Sequence, residues 1–352
     1  MTYLLRIGLD IAEKNPSRHA RFIDAVQSIK HVSRPNNKIV LLAHRGRPDG
    51  KIVSKLSLKR FVPYLNKALG KKVIFLPSTN LLKSSGIIKT SPKGSIFLLE
   101  NVRFFKGEID NSQKFVGGLA SLGDSYIIDD FSDAHRRHAS TYGLAKELPG
   151  KMGLHLKEEL SHLSKAINFP KRPNILILGG AKANEKIAIA SKMLKKVDYI
   201  LLGGVSANNF LKARGVNIGK SIYDKQAMLL ASKLANREKI VTPVDWILSK
   251  DAIVDIGPMT INEYKKIIAD AKTIIWNGPM GRSENLKFRN GTVQIKKAVF
   301  VNKKADVIIG GGDTLASMEI KSPPKNVFIS TGGGAMLTFL AGKKLPVVEV
   351  MK

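Results

Sequence analysis

Short apolar runs rich in β-branched residues alternate with longer stretches of helical period along almost the whole chain. The runs in the first half are YLLRIGL, KIVLLA, KVIFLP, SIFLLE and SYIID, and those in the second half are NILILGG, YILLGG, TIIWNG and DVIIGGG. Between two runs, SRHARFIDAVQSIKHV places Phe22, Val26 and Ile29 on one helix face. Strands that alternate with helices form parallel sheets with crossover connections. The sequence therefore predicts an α/β fold of doubly wound, Rossmann-like parallel sheets.

The alternation is interrupted once, near the middle of the chain. There GLHLKEELSHLSKAINF carries a stripe of Leu156, Leu160 and Leu163 that is typical of a helix, and PKRP ends it before the strand pattern restarts. A length of 352 residues also suits two domains better than one. We predict a first domain over residues 1–150, an interdomain helix over 151–169 and a second domain over 170–335.

Composition narrows the class of protein. Hydrophobic residues make up 43% of the chain, which is normal for a globular protein with sizeable cores. The chain has no cysteine, which excludes disulfides and cysteine-ligated zinc and fits a reducing compartment. The apolar start MTYLLRIGLDIAEK is interrupted by Arg6 and Asp10, and no segment reaches about 18 apolar residues. We therefore expect a cytoplasmic protein without a membrane partner.

The formal net charge of +30 raises the question of a polyanionic partner. The lysines are scattered through almost every segment, without a long basic run or a basic tract interleaved with aromatic residues. A general lysine bias explains this distribution better than a nucleic-acid function does. We predict weak, non-specific binding to polyanions, and a nucleic-acid-associated role stays open as an alternative.

Glycines end the apolar runs of the second half. ILILGGAKANEK, ILLGGVSANN, IIWNGPMG, VIIGGGDTLAS and ISTGGGAM each place glycine at the end of a strand, with a helix expected after it. Glycine lets backbone N–H groups approach a ligand, and the helix N-terminus that follows attracts anions. Five such turns along one sheet edge predict a nucleotide site.

Two other nucleotide motifs do not fit. GVNIGKS has three residues instead of four between its glycines, and no strong apolar strand precedes it, so it is a loop and not a P-loop. GGGDTL and GGGAML lack the third glycine of the dinucleotide fingerprint. The sequence therefore argues against an NAD-binding protein.

The first half concentrates cationic side chains at its strand ends. His44 and Arg47 lie in AHRGRP, Arg103 lies in LLENVRFFKGE, and Arg136 lies in DDFSDAHRRHAS. Loops at the carboxyl ends of parallel strands are where α/β folds bind ligands. Guanidinium groups match phosphate and carboxylate geometry, so several on one rim would bind a small phosphorylated acid. The sequence thus predicts an anion pocket in the first half.

These segments together resemble the phosphoglycerate kinase family. AHRGRP, LLENVRFFKGE, DDFSDAHRRHAS, ILGGAKANEKI, LLGGVSANNFLKARG, TIIWNGPMG, IIGGGDTLAS and STGGGAMLTFLAGKKLP look like its signature segments, in the same order. The resemblance implies reversible phosphoryl transfer between 1,3-bisphosphoglycerate with ADP and 3-phosphoglycerate with MgATP. It also implies a monomer whose N-terminal domain binds the glycerate, whose C-terminal domain binds the nucleotide, and whose last segment, 336–352, packs back toward the N-terminal domain.

The resemblance assigns roles by position. It implies that His44, Arg47, Arg103 and Arg136 hold the phosphate of the acid and that Arg21 is the catalytic arginine. Lys182 matches the lysine on the transferring phosphoryl oxygens, and Gly333 and Gly334 belong to the glycine turn that faces the moving group. Asp313 matches the magnesium-associated carboxylate. The nucleotide-binding positions that it implies are Gly180, Lys182, Lys186, Gly204, Asn277, Glu284, Gly311, Gly312, Asp313 and Thr314.

The sequence departs from the family pattern at three notable positions. The first strand of the family usually ends RxDFNxP, whereas here it reads RIGLDIA, so Gly8 replaces an Asp and Asp10 replaces an Asn. Because strand side chains alternate, we expect positions 8 and 10 to share a face. Asp10 then either takes over a contact to the substrate hydroxyl or repels the substrate carboxylate. Val205 stands where a third glycine is usual.

These departures leave a catalytically weakened, binding-only relative as an alternative to an active enzyme. An active enzyme needs Arg21, Lys182 and Asp313 together, and all three are present. The sequence therefore predicts an active enzyme.

Overall fold

The computed structural model of the chain describes residues 1–77, 80–320 and 322–351. The chain forms two compact units. Unit 1 contains Met1–Glu159 and the C-terminal tail from Lys344, and unit 2 contains Leu160–Lys343. Each unit is built around a parallel sheet with helices in its crossovers, so the predicted α/β class is confirmed. That residues 1–150 and 170–335 fold as independent domains stays a prediction.

Unit 1 contains a parallel sheet with strand β1 near its centre. Its strands are β1 (Thr2–Ile7), β2 (Lys38–Leu42), β3 (Val73–Leu76), β4 (Ile96–Leu99), β5 (Ser125–Asp129) and β6 (Gly150–Met152). Their spatial order is β3-β4-β2-β1-β5-β6. Leu5 pairs with Leu41 on one side and with Ile127 on the other, and all three side chains are buried. An apolar run of this kind suits a strand that is covered on both faces.

Helices connect the strands of unit 1. They are α1 (Ala20–Val32), α2 (Val62–Leu69), α3 (Leu81–Thr90), α4 (Gln113–Ala120) and α5 (Leu144–Glu147). Helix α1 begins where the His19 side chain accepts a hydrogen bond from the Arg21 backbone N–H, and Phe22 and Ile29 on its apolar face join the core. The next helix, α6 (Leu154–Asn168), contains the boundary between the two units.

Unit 2 contains a second parallel sheet and a small antiparallel hairpin. Its strands are β7 (Asn174–Leu178), β8 (Tyr199–Leu202), β9 (Ile240–Val241), β10 (Trp246–Ser249), β11 (Ala252–Ile256), β12 (Thr273–Asn277), β13 (Asp306–Gly310) and β14 (Val327–Ser330). The parallel sheet has the order β14-β13-β12-β7-β8-β9, and β10 pairs with β11. Trp276 on β12 is fully buried in the core of this unit.

The helices of unit 2 follow its strands and glycine turns. They are α7 (Ala183–Met193), α8 (Gly204–Ala213), α9 (Met228–Leu234), α10 (Pro258–Asp270), α11 (Asn290–Val301), α12 (Gly312–Met318) and α13 (Gly334–Leu340). The last helix, α14 (Pro346–Val350), lies in the C-terminal tail and belongs to unit 1. There the Val347 N–H donates to the Ala134 carbonyl oxygen at 3.3 Å.

The strand order of each sheet reverses at one strand, and such switch points are where open α/β sheets bind ligands. In unit 1 the reversal is at β1, which lies between β2 and β5. In unit 2 it is at β7, which lies between β8 and β12. Of the predicted site residues, Asp10 lies in the loop after β1, and Gly180 and Lys182 lie in the loop after β7, while most of the others follow other strands of the same two sheets. Separately, none of the described helices is long and apolar enough to cross a membrane.

Three local expectations differ from the structure. Strand β1 ends at Ile7, so positions 8 and 10 lie in the loop beyond it and the strand-face argument for them was wrong. No α-helix directly follows β12, since residues 278–289 separate this strand from the start of α11 at Asn290. Four strands were not predicted from the sequence: β6, β9 and β10 are short or partly exposed, and the apolar run of β11 is interrupted by Asp255.

Candidate active site

Arg6 lies inside an apolar strand, and its side chain is fully buried. Its Nη1 donates to Asp130 Oδ2 at 2.7 Å and to the Ile7 carbonyl oxygen at 2.5 Å. Its Nη2 donates to Asp133 Oδ2 at 2.8 Å, and its Nε donates to Ser140 Oγ at 3.2 Å. Burial opposes the charged form, but the two carboxylates outweigh it and raise the pKa of Arg6. This buried cation therefore ties β1 to the loop after β5.

Asp133 is the buried centre of a group of cationic side chains. Its carboxylate lies 2.8 Å from Arg6, 3.0 Å from His44 Nδ1, 3.1 Å from Arg136 Nε and 3.4 Å from Arg103 Nη2. Burial alone would raise the pKa of Asp133, but His44, Arg6 and Arg103 hold it well below its usual range. One ionised carboxylate thus orients four cations that come from three strand ends and from β1.

His44 connects this group to Asp10. Its Nε2 lies 3.6 Å from Asp10 Oδ2, while Asp10 Oδ1 accepts a hydrogen bond from the Gly46 N–H at 2.8 Å. Burial would lower the pKa of His44, but Asp133 and Asp10 raise it above its ordinary value, which favours the protonated ring. The Asp10 carbonyl oxygen accepts a hydrogen bond from Arg21 Nη1 at 2.8 Å. The first turn of α1 is thereby held beside the loop after β1.

Unit 1 brings most of the predicted acid-binding residues into one cluster. Its members are Asp10, Arg21, His44, Arg103 and Arg136. Arg47 lies on the same loop as His44 and is exposed. Arg103 is 4% exposed, and its Nε is buried without a hydrogen-bond partner among the described residues. A buried guanidinium donor without a partner is unfavourable, so it suits an anion that would complete the site.

The same cluster contains a set of potential metal ligands. His44, Asp130 and Asp133 each offer one ligand atom, and these atoms lie within 4.8 Å of one another. The guanidinium of Arg6 already lies 2.7 to 2.8 Å from an atom of each of the three side chains. The positive charge that the carboxylates of Asp130 and Asp133 need is therefore supplied by a protein side chain.

The site residues predicted from the sequence do not include Arg6, Asp130 and Asp133. Asp130 and Asp133 lie in the segment DDFSDAHRRHAS, of which only Arg136 was assigned to the acid. Arg6 carried a usable signal, because an arginine inside an otherwise apolar strand needs buried counter-charges. Its partners lie 124 and 127 residues away in the chain, so no local window could reveal them.

In unit 2 the loops after β7 and β12 approach each other closely. The Gly179 N–H donates to the Asn277 carbonyl oxygen at 3.0 Å, and the Gly180 N–H donates to the Pro279 carbonyl oxygen at 2.7 Å. A Cβ at position 179 would lie 2.0 Å from the Pro279 oxygen, so only glycine fits there. Gly278 has a φ of +95°, which also favours glycine. The glycines thus build the floor of the predicted nucleotide site.

Two lysines follow this floor on α7. Lys182 is exposed at the start of the helix, and Lys186 is buried one turn later with its Nζ hydrogen-bonded to the Gly179 carbonyl oxygen. Burial lowers the pKa of Lys186 to about 8, although the charge of Asp313 acts in the opposite direction. Unit 2 therefore holds one exposed cation and one partly desolvated cation beside a carboxylate.

A cavity of about 260 Å³ opens beside these glycines. Gly180, Gly204, Glu284 and Asp313 line it, as the resemblance implied for a nucleotide site, and so does Val205. The remaining lining is mostly apolar, with contributions from Leu211, Trp246, Ile253 and Met280. Pockets for small ligands combine such apolar walls with a few polar groups.

The other predicted nucleotide residues connect the loops of unit 2. Asn277 Nδ2 donates to the Gly310 carbonyl oxygen at 3.0 Å, and Thr314 Oγ1 accepts a hydrogen bond from the Gly278 N–H at 2.7 Å. Both side chains are buried. Gly311 has a φ of +103° just before α12, and Gly312 is the first residue of that helix. These groups hold the loop after β12 against the loop after β13.

The glycine turn before α13 lies in unit 2. Gly333 has a φ of +45°, and Gly334 is the exposed first residue of the helix. Together, the fold and its sites define a two-unit α/β protein with an anion cluster in one unit and a glycine-lined cavity with lysines in the other. Each lies at the switch point of its sheet.

Comparison with known proteins identifies the family. The family model described as phosphoglycerate kinase matches residues 4–343. The phosphoglycerate kinase of Dictyoglomus turgidum is 39% identical over 377 aligned positions, which cover 99% of this chain and 95% of that protein. The phosphoglycerate kinase of Wolinella succinogenes is 38% identical, with coverage of 99% and 94%. The chain belongs to the phosphoglycerate kinase family.

Solved structures agree with this assignment. The crystal structure of phosphoglycerate kinase from Pyrococcus horikoshii OT3 has a TM-score of 0.87 at 28% identity, and it covers 99% of this chain and 95% of that one. Phosphoglycerate kinase from Coxiella burnetii has a TM-score of 0.84 at 34% identity, with the same coverage. The predicted family is thus confirmed, whereas the roles of individual residues stay predictions.

Proposed function

We propose that this protein catalyses reversible phosphoryl transfer between 1,3-bisphosphoglycerate with ADP and 3-phosphoglycerate with ATP. The observation that carries the proposal is the family match over residues 4–343. The anion cluster of unit 1 and the glycine-lined cavity of unit 2 support it, because they offer matching chemistry for an acid phosphate and for a nucleotide. In this reaction the protein has mainly to position the two substrates and to stabilise charge.

Unit 1 would bind the phosphorylated acid. Arg103 and Arg136 supply guanidinium groups, and the unpartnered Arg103 Nε gives the anion a donor that is already desolvated. The pKa of His44 is raised by Asp133 and Asp10, so its ring would add a further positive charge when it is protonated. Asp133 fixes these groups before the substrate arrives, so binding would require little reorganisation of the cations.

Unit 2 would bind the nucleotide. The apolar walls of the cavity suit a purine ring, and Glu284 lines its rim where a ribose hydroxyl could donate to it. Lys186 would neutralise phosphate charge beside the glycines of the cavity floor. The exposed Lys182 would contact the oxygens of the phosphoryl group that is transferred. Val205 narrows the cavity at the position where relatives usually carry glycine, so it would favour a tight fit of the base.

Magnesium would act through the nucleotide. Asp313 is an exposed carboxylate that lines the same cavity and lies at the start of α12. Carboxylate and phosphate oxygens are the ligands that Mg²⁺ prefers, so the donor set fits this ion. When bound, the ion would neutralise charge on the phosphate oxygens. Asp313 itself would orient the triphosphate relative to Lys182 and Lys186.

Three finer expectations remain predictions. We infer from the family that the protein acts as a monomer in the cytoplasm. The dispersed net charge of +30 predicts weak binding to DNA or RNA that fades as the salt concentration rises. Such binding would reflect charge alone, because the sequence shows no recognition motif that could make it specific.

A coupled assay of ATP-dependent phosphorylation of 3-phosphoglycerate tests the proposal. We expect turnover that requires Mg²⁺, 3-phosphoglycerate and ATP together. The matched control is Lys182→Ala, which should abolish most turnover while the fold, monitored by circular dichroism, stays intact because Lys182 is exposed. If the wild type binds both substrates but does not turn them over, the protein is the binding-only relative and the proposed activity is wrong.

The lowered pKa of Lys186 predicts proton uptake when the nucleotide binds. With a pKa of about 8, a large fraction of Lys186 is neutral near pH 8, and a nearby phosphate would restore its proton. Calorimetric titration with MgADP in two buffers of different ionisation enthalpy measures this uptake. It should shrink toward about pH 6, where Lys186 is already protonated. Lys186→Met should remove it, and uptake that is unchanged in that variant would contradict the assignment.

A further inference from the structure

The backbone conformation at position 8 does not require a glycine. It is absent from the residues with positive φ, so other residues could adopt its conformation. The three atoms nearest to a Cβ at this position all belong to the carboxyl group of Asp130, with Oδ1 at 3.4 Å, Cγ at 3.6 Å and Oδ2 at 3.8 Å. The space that a side chain of residue 8 would enter therefore already contains an acidic group.

Asp130 is firmly held in that space. Its Oδ2 accepts a hydrogen bond from Arg6 Nη1 at 2.7 Å, and its Oδ1 accepts one from Ser132 Oγ at 2.6 Å. Its side chain is 2% exposed. Through Arg6, which also donates to Asp133 at 2.8 Å, Asp130 is connected to the carboxylate that orients the cations of the acid site.

We propose that Asp130 replaces the carboxylate that the family motif RxDFNxP carries at position 8, and that it positions Arg6 and, through Arg6, the acid-binding cluster. This inference rests on the proposed function. The acidic group beside Arg6 then comes from the loop after β5, and a carboxylate at position 8 would lie next to it. Two acidic groups at this point would repel each other in a buried setting.

Asp10, the other acidic residue near this position, is engaged elsewhere. Its carboxylate accepts a hydrogen bond from the Gly46 N–H and pairs with His44, and its side chain is 41% exposed. Its carboxylate therefore contacts the loop after β2, whereas the Asp130 carboxylate contacts Arg6. Asp130, and not Asp10, therefore replaces the carboxylate that the family motif carries at position 8.

The test is a double-mutant cycle between positions 8 and 130. Gly8→Asp should weaken 3-phosphoglycerate binding by about tenfold, because it brings a second carboxylate next to Asp130. Asp130→Ala should weaken it by a similar factor, because Arg6 loses one of its two carboxylate partners. The double variant should bind better than either single variant, since the new Asp can pair with Arg6. Calorimetry measures binding, and steady-state kinetics gives KM for both substrates.

Two further measurements separate this role from a merely structural one. KM for MgATP should stay nearly constant across the cycle, because the nucleotide residues belong to unit 2. Gly8→Asn, which has the size of Gly8→Asp without its charge, should cost clearly less than Gly8→Asp. Additive losses in the double variant, or equal losses for Asn and Asp, would overturn the inference. The wild-type assay decides the proposed function separately, because only the variants test the pairing.

Discussion

Replacing Arg21 with Ala should lower kcat by about 10²- to 10³-fold, which is the range seen when one group that stabilises transition-state charge is removed. Arg21 lies on the first turn of α1, is half-buried, and donates from Nη1 to the Asp10 carbonyl oxygen at 2.8 Å. Because the charge of the transferring group develops only along the reaction, the loss should appear in kcat. KM for MgATP should change little.

A second variant, Arg18→Ala, tests whether the loss of one positive charge near this site is enough to lower kcat. Arg18 lies in the turn Pro16–Arg18 just before the helix and is exposed. Arg18→Ala removes the same charge three residues away and should leave kcat within about twofold of the wild type, as for most exposed surface changes. Steady-state kinetics in the coupled assay measures both variants. An Arg21→Ala enzyme with unchanged kcat would remove Arg21 from the catalytic role.

The fold was predictable wherever a strand is covered on both faces. A run such as NILIL in β7 is buried at every position, so its apolar character is visible in the sequence. Strand β6, with the sequence GKM, is largely exposed and gives no such signal. Its place in the sheet depends on pairing with β5, a tertiary contact that local propensity does not encode.

The cation cluster of unit 1, where we expect the acid to bind, was predictable only in part, and for a related reason. His44, Arg103 and Arg136 could be identified because each follows an apolar strand, and the carboxyl ends of parallel strands meet at one edge. What fixes them is Asp133, whose contacts with Arg6 and Arg103 connect distant parts of the chain. The position of Gly8 was also predicted wrongly, because β1 ends at Ile7 and Gly8 lies in the loop beyond it.

The buried ion network also predicts a large effect on stability. Replacing Arg6 with Met keeps most of the side-chain volume but leaves Asp130 and Asp133 without their shared cation in a site that is 0 to 4% exposed. Breaking a buried pair by removing one partner costs about 3–5 kcal/mol. Lys165→Met is the control, because the side chain of its partner Asp306 is 43% exposed and also pairs with Lys171, so the cost should be below about 1 kcal/mol.

The effect of Arg6→Met should be confined mainly to unit 1, and the probes can separate the units. Both tryptophans of the chain, Trp246 and Trp276, lie in unit 2, so their fluorescence reports on that unit, whereas hydrogen exchange in β1 and β5 reports on unit 1.

The stability that Asp133 contributes through its lowered pKa is present above about pH 4 and is lost as the pH falls through its folded-state pKa. The wild type therefore loses more stability on acidification than Arg6→Met does, and the difference between the two should narrow below about pH 4. Equal protection of β1 in both proteins at neutral pH would show that the buried network does not stabilise unit 1.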